Sequence, residues 1–99
     1  MKADYSITID DIPEDPKHGA SSILLDYSSG EQYSGNVITM DFLRWLFKKN
    51  ENTGECANGS YFCMPQMIVV KEIKEDLLRI TIDDLIKNKE FNLYFTEKD

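Results

Sequence analysis

Apolar and polar residues alternate from Asp4 to Asp10. Tyr5, Ile7 and Ile9 fall on one side, and Ser6, Thr8 and Asp10 on the other. A period of two marks a half-buried strand. Pro13, Pro16 and Gly19 break the pattern, so 11–20 is expected as a loop. Ser22–Tyr27 reads as a second strand. Ser28-Ser29-Gly30 supplies a hairpin turn, and the chain returns through Glu31–Ser34 as a third.

The period then changes. Thr39 is a sound N-cap, and Asp41 in the first turn suits the positive end of a helix dipole. Phe42, Leu43, Leu46 and Phe47 gather on one side, Trp45 widens that stripe, and the helix is expected to stop near Asn50. Trp45 is expected in the core or at its edge, packed against the sheet beside Phe42 and Leu46. Its replacement by Ala would then cost about 3–5 kcal/mol. Residues 50–60, NENTGECANGS, read as a long polar loop. Tyr61-Phe62 and Pro65 lead into Gln66–Glu72, a β-rich run expected as a central strand. Lys74–Asn88 is a second helix, with Leu78, Ile82, Leu85 and Ile86 at helical spacing. Phe91–Thr96 alternates again and reads as a closing strand.

The predicted order is β-β-β-α-β-α-β. The fold class is α+β: a mixed, mostly antiparallel sheet of about five strands, with two helices packed on one face. Helix 74–88 between two strands is the candidate for a parallel crossover. The chain has 99 residues, enough for a single domain spanning 1–99. Eleven per cent of them are aromatic, which fits a globular core rather than a disordered chain. No apolar run approaches the ~18 residues of a membrane helix, and the first ten residues lack a signal-peptide stretch. No membrane association is expected, and the cytoplasm is the expected location.

Charge narrows the function classes. Eleven Lys and Arg face eighteen Asp and Glu, a net −7. Such a balance opposes binding to nucleic acid, which depends on cations at phosphates, and favours basic partners. Five of those net charges fall within residues 1–35, where seven acids meet two bases. Asp10, Asp11, Glu14 and Asp15 stand close together in the proline-stiffened loop, and Glu31 follows the hairpin turn. These five acids are candidate anchors for Lys or Arg on a partner. Tyr61 and Phe62, after the polar loop, are candidate aromatic anchors.

Catalytic signatures are sparse. Cys56 and Cys63 are spaced C-x6-C, unlike a zinc knuckle or a C-x-x-C redox motif, and His18 is the only histidine. Two ordinary thiols are expected; a bridge closing the loop is the alternative. His18 reads as an exposed loop residue. Glycine-rich phosphate loops and nucleophile elbows are missing from the sequence. Catalysis, cofactors and metal are not expected.

The segments SGNVITMDFLRWLF, MIVVKEIKEDLLRITIDDLI and FNLYF resemble the small immunity proteins of bacterial contact-dependent growth inhibition systems. In those families a short helix, a Val/Ile strand beginning after a loop, and a helix introduced by an I-x-x-E/D step recur. Here Ile73, Glu75 and Asp76 stand at that step. The resemblance covers residues 34–96 and is one of pattern. It implies a cognate toxin domain as partner, often a nuclease, neutralised by covering its active site. A nuclease cleft must be cationic to hold phosphates, so an acidic inhibitor complements it. The expected function is therefore that of an immunity protein, acting as a monomer on a basic toxin. The alternative is an adaptor or regulatory module that binds a protein without inhibiting it.

Overall fold

The computed structural model describes residues 5–63 and 66–98. Asp4 and Pro65, which figure in two of the predicted elements, lie outside the described residues. Three antiparallel strands open the chain: β1 (Tyr5–Ile9), β2 (Ala20–Tyr27) and β3 (Gln32–Thr39). Helix α1 (Met40–Thr53) follows directly. Strand β4 (Met67–Val70), helix α2 (Glu75–Lys87), a helical turn at Phe91–Tyr94 and strand β5 (Thr96–Lys98) complete the order. The fold is α+β, with a five-stranded sheet and two helices longer than two turns among the described residues.

Register places the core. Tyr5 pairs with Tyr27, Ile7 with Leu25 and Ile9 with Ile23. Gly35 lies opposite Ile23, and Val37 beside Ile68. Because side chains alternate, these residues share one face. Helix α2 covers it with Leu78 and Ile82, each 1% exposed, and Phe95 and Ile73 close the ends. Fully burying side chains of this size stabilises by roughly 1.5–3 kcal/mol each. On the opposite face Ser6, Thr8 and Ser22 are exposed.

β3 is the central strand. β2 occupies one of its edges, while β4 runs parallel to Asn36–Thr39 and β5 antiparallel to Gln32–Ser34 along the other. The strand from Gln66 is therefore not central, as its apolar run suggested, but an edge strand, and Val69 is 48% exposed. The parallel connection joins β3 to β4 through α1. The second helix instead leads to a strand antiparallel to β3.

Three local expectations are corrected. Helix α1 passes Asn50 and ends at Thr53, where Gly54 takes the left-handed conformation (φ 85°) and its N–H donates to Asn50 O. Glycine meets this C-cap requirement without strain. The polar loop beyond is not open coil. Cys56, Ala57 and Asn58 form a left-handed turn (φ 50°, 50° and 59°), closed by Ser60 N–H donating to Cys56 O. Finally, Phe91–Thr96 is not one strand. Phe91 and Phe95 sit one helical turn apart and stack at 4.7 Å, whereas Leu93 is 67% exposed.

Candidate partner-binding surface

Thr39 organises the first part of the surface. Its Oγ1 accepts from Phe42 N–H and caps α1, and it also accepts from Gly19 N–H at 3.1 Å. Thr39 N–H donates to Gly19 O at 3.0 Å. One residue thus ties the start of α1 to the end of the 10–19 loop. Ile73 N–H donates to Pro16 O at 2.7 Å, a second tether. The loop is held at that end of the sheet by these backbone and hydroxyl hydrogen bonds.

The four loop acids differ in their surroundings. Asp10, Asp11, Glu14 and Asp15 are all exposed, and among the described residues none makes an ion pair. Asp15 accepts Lys17 N–H at 3.0 Å and His18 N–H at its carbonyl, so it closes its own turn. Asp11 holds a left-handed backbone (φ 55°) and its carbonyl accepts from Ser21 Oγ. Glu31 is separate from this group. Asp10 bonds Ser22 while Glu31 bonds Tyr27 at the hairpin, so a rise of ~3.4 Å per residue along β2 puts them about 17 Å apart.

Beside the loop lies an aromatic cluster. His18, expected as a free loop residue, is half-buried. Its Nδ1 lies 2.6 Å from Asp41 Oδ2, and its ring meets Phe42 and Trp45 edge-on at 5.1 and 6.0 Å. Phe42 and Trp45 are 5.3 Å apart, and Lys49 Nζ stands 5.8 Å over the indole.

Trp45 is not in the core. It is 48% exposed, and no residue of α1 belongs to the apolar core cluster. The physical reason is that α1 begins where β3 ends and does not turn back over the face already filled by α2. The molecule is correspondingly long, 47 × 25 × 23 Å. Met40 is 52% exposed on the same helix, and Phe42, Leu43, Leu46 and Phe47 are only partly covered.

Tyr61 and Phe62 mark the far end of α1. The left-handed turn before them folds back so tightly that a Cβ on Gly59 would lie 2.6 Å from Phe47 O. Tyr61 is 53% exposed and Phe62 half-buried. From Asp41 to Glu51 the helix rises about 15 Å, so the acidic loop and Tyr61 flank a helix with Trp45 between them. The structure brings Asp10, Asp11, Glu14 and Asp15 together, leaves Glu31 at the opposite end of the sheet, and joins Tyr61-Phe62 to the first group only through α1.

Cys56 is a half-buried and Cys63 an exposed free thiol. Among the described residues no group of three His, Cys, Asp or Glu side chains is placed to hold a metal ion, and no helix is long and apolar enough to cross a membrane. Sequence reasoning missed the exposure of Trp45 and the packing of His18 against Asp41, Phe42 and Trp45. The signal that unites them is the register pair Ala20–Ile38, which sets the loop's end beside the first turn of α1.

Family models, curated proteins and solved structures yield no match to this chain.

Proposed function

We propose that this chain is an immunity-type inhibitor that binds a basic, nucleic-acid-cleaving toxin domain and covers its active site. One observation carries the protein-binding part of this reading. Trp45 stands half exposed on a helix outside the core, beside a hydrogen-bonded loop whose four acids make no ion pair among the described residues. A half-exposed tryptophan among partly covered Phe and Leu residues is the composition of an interface centre, and charged residues suit its rim. The acids attract a cationic cleft and speed encounter, while the aromatic helix supplies the contact that slows release. The nuclease class of the partner comes from the resemblance of residues 34–96 to immunity proteins.

The experiment is capture of a partner from the native host, followed by assay of the captured domain. Loss of its nucleic-acid cleavage at stoichiometric addition of this chain is the expected result. A partner that binds tightly and keeps its full activity would establish the adaptor reading instead.

A further inference from the structure

Away from α1, three aromatic rings meet where the β2–β3 hairpin faces the end of α2. Tyr27 and Tyr33 stand 5.5 Å apart at 70°, and Tyr33 and Phe91 5.1 Å apart at 75°. Successive rings near a right angle form a walled corner rather than a stack. Phe91 is fixed from behind by its stacking on Phe95. These rings line a cleft of about 340 Å³, with Glu31 and Lys89 also in its wall.

The acid is positioned. Glu31 Oε1 accepts from Ser29 Oγ at 2.9 Å and Oε2 from the Tyr33 hydroxyl at 3.2 Å. Two hydroxyls therefore hold one carboxylate against the aromatic corner. Carboxylates bear on both tyrosine hydroxyls there. The Tyr27 and Tyr33 hydroxyls are both pushed above the usual phenol range, by burial first and then by Glu31. Asp83 acts on Tyr27 and Glu97 on Tyr33 in the same direction. Of these three carboxylates Glu31 lines the cleft, where Lys89 is the cation of the wall, and Asp83 and Glu97 act from outside it.

We infer that this cleft is a cage for an organic cation: the guanidinium or ammonium of a partner's Arg or Lys, or a free alkylammonium ion. Ring faces attract cations through their quadrupoles, and the attraction grows as the cation loses water. A fixed carboxylate adds charge and, for a guanidinium, a planar two-oxygen acceptor. An uncharged ligand of the same shape gains neither. The inference rests on the proposed function only for the source of the cation, since a basic partner supplies such side chains.

The test is a titration of the full chain followed by the NMR signals of the aromatic rings. The probes are N-acetyl-arginine amide, N-acetyl-trimethyllysine amide and tetramethylammonium chloride, with N-acetyl-citrulline amide as the neutral match to arginine. Saturable shifts of Tyr27, Tyr33 and Phe91 with the cations, and none with citrulline, are expected. Glu31→Gln, at an exposed position, should weaken binding about tenfold, a loss of ~1.4 kcal/mol, and Lys89→Ala should tighten it. Stronger binding of the amino-acid amides than of tetramethylammonium identifies a partner's side chain as the occupant. The reverse order identifies a free alkylammonium ion. Unmoved rings, equal shifts with citrulline, or undiminished binding by Glu31→Gln overturns the cage. Cation shifts in a chain that neutralises no partner would leave the cage standing and overturn the immunity reading alone.

Discussion

The ring of Phe95 occupies the space where Gly35 lacks a side chain. A Cβ built on Gly35 would lie 2.7 Å from Phe95 Cε1 and 3.0 Å from Tyr94 O. The ring is itself buried and cannot swing away. Gly35→Ala must therefore displace Phe95 or bend β3, and overpacking of this kind costs about 1–3 kcal/mol. A lowered urea midpoint with an unchanged slope checks it. An unchanged midpoint would mean that the ring does not seat on the sheet.

Trp45→Ala should hardly disturb the fold. Its indole is half exposed and outside the core, so the cost is expected near ~1 kcal/mol rather than the several expected of a core tryptophan. The binding effect should be larger. If α1 seats the partner, Trp45→Ala and Tyr61→Ala should each raise the dissociation rate and cost about 2 kcal/mol or more of affinity. Thermal melting and surface-bound kinetics of the same variants separate the two effects.

The loop acids should act on association. Asp11, Glu14 and Asp15 are exposed and make no ion pair among the described residues, so reversing all three costs the fold the Asp15 side-chain bond to Lys17 N–H and breaks no ion pair among those residues. Their reversal should slow encounter with a basic partner and change release less. Raising the salt from low to physiological strength, where the Debye length is ~8 Å, should slow the wild type more than the variant. Association that ignores both salt and charge reversal would refute the electrostatic account.

Alkaline stability should fall through Tyr5. Its hydroxyl donates to Asp83 Oδ1 at 2.7 Å, and Arg79 lies 4.8 Å over its ring. Burial, then that hydrogen bond, holds the phenol above its ordinary value of 10. The folded chain thus keeps a proton that the unfolded chain has released. Stability from this group is whole below about pH 10 and is lost as the pH climbs toward the folded value. Tyr27 and Tyr33 are raised in the same direction and add to the slope. Urea unfolding across the alkaline range should show a shallower decline for Tyr5→Phe than for the wild type.

Much of the sheet was legible because its faces differ. Tyr5, Ile7 and Ile9 alternate with polar residues, so their period could be read directly, and Thr39 carried the start of α1 in its own side chain. Helix α2 was legible from Leu78 and Ile82. The errors share one cause: a local pattern does not say what lies across from it. The Val/Ile run at 67–70 reads alike at the centre or edge of a sheet. Phe91 and Phe95 fit a strand period and a helical turn equally well until Gly35 is known to lie beneath one of them. Trp45 and its neighbours make an apolar stripe, but only the tertiary arrangement reveals that α2 already fills the face the stripe was expected to cover. Of the site, the charge of loop 10–15 was visible, whereas the meeting of His18, Asp41 and Trp45 depends on strand register between distant segments.

The division of one β3 edge between two short strands bears on how the protein breathes. β4 contributes four residues and β5 three, and all three of the latter are exposed. Gln66 Nε2 donates to Thr96 Oγ1, the side-chain bond that spans the two. Segments with few buried contacts open at low free energy, independently of global unfolding. Amide hydrogens of Thr96–Lys98 should therefore exchange with solvent well before those of β2, which is flanked on both sides. Each such opening frees the polar backbone of Gln32–Ser34 while Phe95, anchored one residue earlier, keeps the apolar interior closed. The chain can shed its last strand and remain folded, so loosening at this seam should leave no trace in a melting curve and appear only in exchange.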